Sequence, residues 1–323
     1  MAGVIVTVTG EIRPEQLGPA LCHEHLHCDV SIVSGRADNR LIAPQLMPQE
    51  MARFAAAGGR AIVEVTPEGI GRDAASLAEI SRASGVTIVS GIAFYVQETY
   101  PAWVASAAAD KIADYFVMHL DRGVGGVRAG LIGEVASHNE TAPNARGYRL
   151  EPLERRVFEA AALAQQQTGA CISTHASLGR AGHAQLDVLE AAGADLSKVV
   201  IGHCDAHWHA DAVLDFEYYL PILERGAYCQ FDLVGWEELG PDEIRAERIA
   251  ELVERGHQSQ ILLGTDTCRL SQLHANGGRG YDFVWTSFLR RLRCAGVSAA
   301  AIEAMLVDNP RRVLERPRRG DAA

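Results

Sequence analysis

The residues best suited to chemistry in this chain are its histidines and acids, and the densest group is His23-Glu24-His25, inside LGPALCHEHLHCDVS (17–31). On an extended strand successive side chains point to opposite faces, so His23 and His25 share one face and Glu24 takes the other. Two imidazoles about 7 Å apart along one face can hold a divalent metal between them. A His-x-His pair alone is equally compatible with solvated or core histidines. Further ligand types recur downstream: Glu134 in LIGEVA, His175 in ISTHAS, His203 in VIGHCD and Asp266 in LLGTD. Four imidazoles and two carboxylates are donors suited to Zn2+, with Mn2+, Co2+ or Fe2+ as substitutes. Six such groups exceed what one tetrahedral ion needs, so two ions sharing a bridging carboxylate is the economical arrangement.

Short strands must position these residues, and the text supplies eight. They are LGPALCHEH, GGRAIVEVTP, VTIVSGIAF (86–94), RAGLIGEVA (128–136), ACISTHAS (170–177), KVVIGHCD (198–205), AYCQFDLVG (227–235) and QILLGTD (260–266). Helical text lies between them at 49–57, 74–84, 105–121, 151–168, 183–192, 211–225 and 242–256, then at 281–294 and 299–307, with Pro310 read as a stop. Eight alternating units predict an α/β fold, a (β/α)8 TIM barrel. A doubly wound open sheet is disfavoured because no G-x-G-x-x-G opens the first helix. The ligand candidates fall at the C-terminal ends of strands one, four, five, six and eight, the face where barrel enzymes assemble their sites. Residues 4–8 (VIVTV) and the Gly10 turn predict a hairpin-like plug, and 31–48 an irregular loop. A single domain over 1–323 is expected, with the hairpin in 1–16 and C-terminal helices over 281–314.

The composition narrows the partners. The chain has 323 residues, 48% hydrophobic and 22% charged, with a net charge of −11, which argues against nucleic acid or an anionic membrane; the partner expected from the ligand set is a small-molecule substrate. The basic tail RPRRG (316–320) reads as a solvated end. Seven cysteines without a C-x-x-C pair fit a reduced cytoplasmic setting, and no stretch is apolar enough to span a bilayer. The N-terminus lacks the basic region of a signal peptide.

The segments CHEHLHCDVS, ISTHAS, VIGHCD, LLGTDTCR and HANGGRGYDF resemble the phosphotriesterase branch of the amidohydrolase superfamily, nearest its phosphotriesterase homology proteins, from about Leu17 to Leu314. The resemblance implies a distorted (β/α)8 barrel with a binuclear metal centre, and a homodimer. It implies that His23, His25 and Asp266 hold the more buried ion and His175 and His203 the more exposed one. Many members bridge the ions with a carboxylated lysine at the end of strand four, where this chain has Glu134. Its only lysines are Lys111, in helical text, and Lys198, at the start of strand six, so Glu134 is the candidate bridge. Tyr95, in GIAFYVQETYP, matches a tyrosine that approaches the metals in lactonase-like relatives; the alternative is an aromatic packed in its loop. Arg269 matches an arginine that helps hold the substrate phosphate in phosphorylated-sugar lactonases, and arginine suits bidentate anion recognition. Its alternative is an ion pair at the strand end. Those lactonases also use a strand-seven lysine where QFDLVGW offers Trp236, which argues against phosphosugar lactones.

The expected chemistry is attack by hydroxide, made available near neutral pH by two divalent ions about 3.5–4 Å apart, on a carbonyl or phosphoryl centre. Asp266 would take the proton and pass it to the leaving group. The first reading is therefore a metal-dependent hydrolase of a small lactone or carboxylic ester. An amidohydrolase of a small N-acyl compound is the alternative, with promiscuous phosphotriester hydrolysis in either case. A catalytically idle ligand-binding barrel is the non-enzyme alternative, and the complete ligand set argues against it. The remaining histidines are weaker candidates: His27 as a second-layer donor, His138 and His183 as loop residues near substrate, and His207 and His209 in a substrate-loop or solvated role. Cys204 and Cys268 read as small buried hydrophobes, and HANGG (274–278) as a tight loop.

Overall fold

Eight parallel strands follow one another around a barrel: β1 (Ala20–Glu24), β2 (Ala61–Glu64), β3 (Thr87–Ile92), β4 (Leu131–Ser137), β5 (Ile172–Ala176), β6 (Val199–Ile201), β7 (Tyr228–Phe231) and β8 (Ile261–Leu263). Each ladder joins strands that are consecutive in the chain. Closure between β8 and β1 is made past the strand ends, where Asp266 N–H donates to the His23 carbonyl (3.1 Å) and His25 N–H to the Thr267 carbonyl (3.3 Å). Gly264 permits this approach: a Cβ there would stand 2.9 Å from the His23 carbonyl oxygen and 3.1 Å from its Cβ. The computed structural model describes residues 3–138, 148–176, 181–206 and 216–318.

Strand periodicity sorts side chains into two layers. Ala61 and Val63 of β2 point into the barrel with Ala20, Val89, Leu131, Cys171, Val200, Tyr228 and Leu262. Their neighbours Ile62, Ile88, Ile132, Ile172, Ile201 and Leu263 pack outward under the helices. The expected N-terminal hairpin forms, Ile5–Thr7 pairing antiparallel with Gly10–Ile12, and Ile5 closes the barrel interior from below with Leu17, Val313 and Leu314.

The barrel helices are α1 (Met47–Ala57), α2 (Ala74–Ser84), α3 (Ala109–Asp121), α4 (Pro152–Thr168), α5 (Gly182–Ala191), α6 (Phe216–Glu224), α7 (Asp242–Glu254) and α8 (Leu289–Cys294), the last preceded by a π turn over Val284–Phe288. Their ends follow local chemistry. Asp73 caps α2 by accepting from Ser76 N–H, and Gly85 ends it in the left-handed region at φ 73°. Glu151 and Glu154 form a reciprocal cap on α4, which opens on Pro152 and ends at Gly169. Among the described residues no helix is long and apolar enough to cross a membrane.

Three sequence expectations change. Pro310 does not stop the chain's last helix: it is the second residue of Asn309–Leu314, which follows a π turn over Ala304–Asp308. In a first turn the N–H that proline lacks has no intrahelical acceptor to lose. The 31–48 segment is more ordered than a loop, with a short helix Ser31–Ser34 and a strand pair, Cys28–Asp29 with Arg40–Leu41. The basic tail is not solvated at its start, because Arg316 is buried and its guanidinium donates to the Leu120 carbonyl (2.9 Å). Its last two residues, the start of the 211–225 helix, and the pair His207 and His209 lie outside the described residues.

Candidate metal centre

The six ligand candidates come together at the C-terminal end of the barrel, from five strands and the turns after them. β1 ends at Glu24, so His23 is its penultimate residue and His25 lies just past it, yet their ring centroids are 5.6 Å apart. Glu134 lies inside β4, His175 inside β5, and His203 and Asp266 follow β6 and β8. His23, His25 and Asp266 form one cluster with ligand atoms within 4.8 Å of one another, and His23, Glu134 and His203 form another. His175 joins through Nδ1, which is 3.1 Å from Glu134 Oε2 and 2.8 Å from His203 Nε2. Glu134 reaches both sides: Oε1 lies 3.7 Å from His25 Nε2, and Oε2 lies 3.2 Å from His23 Nε2 and 3.1 Å from His175 Nδ1. His203 and Asp266 hold φ of 52° and 43°, the two positive values outside glycine among the described residues. Side chains with a Cβ rarely adopt that region, and such strain is retained where it aims a functional group.

Each imidazole turns one nitrogen inward and the other toward an outer partner. His23 Nδ1 is 3.0 Å from Asp232 Oδ2, and His203 Nδ1 is 2.8 Å from Asp232 Oδ1. His25 Nδ1 meets the Thr66 hydroxyl at 2.8 Å, and that hydroxyl donates to Glu64 (2.5 Å). His175 Nε2 meets the Tyr95 hydroxyl at 3.3 Å. Outer partners of this kind fix ring orientation and tautomer at metal sites. The inward nitrogens crowd one another and carboxylates, and fully buried His23 makes no correctly angled hydrogen bond through either Nδ1 or Nε2. A buried lone pair without a proton donor is costly, and a cation among these atoms would satisfy it. The donor set fits two divalent ions.

The electrostatics agree with that fit. Burial pushes the Glu134 carboxyl up, but the His175 and His23 imidazoles outweigh it and hold it well below the usual carboxylate range. Asp232 and Asp266 are likewise lowered against the effect of burial, Asp232 by His203 and His23, Asp266 mainly by His25. Burial lowers His203, yet Asp232 more than offsets it and raises the ring to about 9. Carboxylates that draw protons onto buried imidazoles in this way also attract a divalent cation.

Several contributors carried no sequence signal. Glu24, on the opposite face of β1, accepts from Thr265 N–H (2.6 Å), Thr265 Oγ1 (2.7 Å) and Thr267 N–H (3.1 Å), clamping the turn that carries Asp266. Burial nevertheless pushes its carboxyl up to about 7. Asp205 accepts from the Asp232 and Leu233 amides (3.2 and 3.0 Å) and is held by the fully buried Arg245 (2.8 Å). The strand alternation does show that Glu24 points away from His23; its partners on the β8 turn are tertiary.

The weaker candidates take varied places. Arg269 lies with its guanidinium 4.2 Å over the Trp236 ring and 3.1 Å from Glu238, while its Nε is buried without a hydrogen-bond partner. Arg279, in the glycine-rich HANGGRG stretch, donates to the Thr265 carbonyl and stands 5.7 Å over the same ring. His27 falls outside both clusters. His138 N–H donates to Glu154 (2.6 Å), and His183 packs edge-on against Tyr218 at 5.2 Å. Cys204 and Cys268 are buried. Both lysines are remote from the cluster, Lys111 paired with Asp114 at the surface and Lys198 donating to the Glu315 carbonyl.

Barrel and cluster define the class first: a (β/α)8 enzyme with its site at the strand C-termini. The chain matches the phosphotriesterase family over residues 3–314. It is 37% identical over 295 residues to the phosphotriesterase homology protein of Escherichia coli (strain K12), spanning 91% of this chain and 96% of that protein. The crystal structure of that protein, complexed with phosphate in the active site, superposes with a TM-score of 0.85 at 36% identity, over 93% of this chain and 99% of that one. N-acetyltaurine hydrolase of Homo sapiens is 29% identical over 359 residues, covering 97% of this chain and 98% of that protein. A lactonase from Listeria monocytogenes superposes with a TM-score of 0.86 at 25% identity, over 96% of this chain and 98% of that one. This chain belongs to the phosphotriesterase family and is a hydrolase.

Proposed function

We propose that this hydrolase uses two divalent ions, Zn2+ by preference, to add water to the carbonyl of a small lactone or carboxylic ester. The single observation that carries the reading is Glu134, whose Oε1 lies toward His25 (3.7 Å) and whose Oε2 lies toward His175 (3.1 Å) in one buried cluster. His23, His25 and Asp266 would hold one ion, His175 and His203 the other, with Glu134 between them. Ions so held supply Lewis acidity toward the carbonyl and acidify a water near neutral pH. Asp266 is the ligand carboxylate with the greater solvent access, 14% against 2% for Glu134. Its carboxyl is held low by His25 and His23 against burial, so it is ionised and can accept a proton and deliver it to the leaving group. Tyr95 steadies His175, and Arg269, resting on Trp236, receives an anionic group of the substrate.

Hydrolysis of a small N-acyl compound is the second reading, favoured by the likeness to N-acetyltaurine hydrolase over nearly the whole chain. The Listeria lactonase favours the first. The test is a mass-spectrometric screen for water addition to lactones, esters, N-acyl amines and aryl phosphotriesters, with Zn2+- or Mn2+-loaded protein and Asp266→Asn beside it. The expected outcome is turnover of one carbonyl class, with kcat reduced about 10²–10⁴-fold in the variant. Turnover that survives the substitution, or protein that takes up no metal, would sink the reading.

A further inference from the structure

Asp232, just past β7, is fully buried and belongs to neither ligand cluster. Its two oxygens reach imidazoles delivered by different strands: Oδ1 is 2.8 Å from His203 Nδ1, and Oδ2 is 3.0 Å from His23 Nδ1. Under the binuclear reading above, on which this inference rests, those two rings serve different ions. We propose that Asp232 is a positioning residue that couples the two metal positions, accepting Nδ1–H from one ligand of each and so aiming both Nε2 lone pairs into the cluster. Glu134 would link the ions from inside the cluster; Asp232 links them from outside, through the rings.

The bridging position of Asp232 and two further observations carry this, and a difference between its two contacts sets what a substitution does. The carboxylate is itself immobilised, because His203 N–H donates to both of its oxygens at 3.1 Å. Its backbone is pinned by Asp205, which Arg245 holds in turn, so the group cannot swing to serve one ring at the other's expense. The two contacts also differ in quality: the His203 contact has full hydrogen-bond geometry, whereas His23 Nδ1 lies within distance but misaligned. Only an acceptor on both sides holds both rings in the Nδ1–H tautomer. An ionised carboxylate provides that, and a carboxamide, with one acceptor oxygen and one donor nitrogen, does not.

Asp232→Asn therefore has a specific consequence. The amide oxygen stays with His203, the better-made contact, and the amide N–H₂ faces His23 Nδ1. His23 must then carry its proton on Nε2, where it cannot ligate. Stripped wild type and variant would be titrated with Co2+ by calorimetry, with metal content measured after desalting and the visible d–d spectrum recorded. The expected result is two equivalents for wild type and about one for Asp232→Asn, with an altered spectrum. Asp232→Ala, which removes the acceptor from both rings, should weaken both equivalents by about 10–100-fold. A residue that merely braced the fold would lower the melting temperature while leaving stoichiometry and spectrum unchanged, and that result overturns the proposal. Wild type that binds no Co2+ overturns the binuclear reading and this inference together. A readout that needs no variant is the ring ¹⁵N spectrum of Zn2+-loaded wild type. His23 and His203 should both show a protonated Nδ1 and a ligated Nε2, and an Nε2–H signal from either ring refutes the coupling.

Discussion

Arg269 illustrates how much a single side chain's setting decides. Its guanidinium stacks on Trp236 at 4.2 Å and reaches Glu238 at 3.1 Å, across an ion pair whose acidic side chain is 58% exposed. An exposed pair of this kind contributes about 0–1 kcal/mol, so it does little to explain why the arginine is held there. Under the proposed function it is the exposed end of this guanidinium, three residues beyond Asp266, that would receive a substrate anion. Arg269→Ala should raise KM for an anionic substrate about 10–100-fold, the worth of one charged hydrogen bond, and leave a neutral analogue of the same bond class unaffected. Steady-state kinetics on such a pair, with the melting temperature as control, checks this; equal losses on both substrates would remove Arg269 from recognition.

At the scale of elements, the site depends on how the turns after β6, β7 and β8 are tied together. Arg245, on α7 and fully buried, donates to Asp205 and Asp242 and to the carbonyls of Gly240 and Trp236. That one guanidinium joins the β6 turn, the β7 turn and the helix that follows. Removing one partner of a buried charge pair leaves the other uncompensated, at a cost of about 3–5 kcal/mol. Arg245→Ala should lose that much in urea unfolding, and Arg245→Lys should recover only part, because an ammonium cannot span four acceptors in the plane of a guanidinium. Full recovery by lysine would mean that charge alone, and not the fork, holds the turns.

For the whole molecule, stability depends on pH through groups remote from the site. His119, in the last turn of α3, is buried against Tyr115, and burial followed by the Arg72 guanidinium lowers its pKa from 6.5 to about 4. Between those values the unfolded chain binds a proton that the folded chain does not, so stability falls as pH falls from about 6.5 to 4. The full contribution is present above 6.5, and the loss is on the order of 3 kcal/mol by pH 4. Denaturant unfolding of wild type and His119→Gln at pH 7, 5.5 and 4.5 should give curves that converge as pH falls. Parallel curves would show that His119 does not titrate in this window.

The barrel and the ligand candidates were both legible in the sequence, for the same physical reason. A strand buried on both faces must be a short apolar run, and a ligand must follow it at the C-terminal end, so strand and donor lie within a few residues of each other. His23, Glu134, His175, His203 and Asp266 each sit in such a run. The tertiary structure alone decided what stands behind them. Asp232 serves rings delivered by β1 and β6, Thr66 steadies His25 across 41 positions, and Glu24 clamps a turn 241 positions away. None of these pairings has a local pattern, because a barrel brings strand ends together irrespective of sequence distance. Pro310 misled for a related reason: it stands at the second position of Asn309–Leu314, where proline is tolerated, and helical periodicity does not record where one turn ends and the next begins. Local chemistry determined which atoms could bind a metal; closure of the barrel determined which way those atoms point.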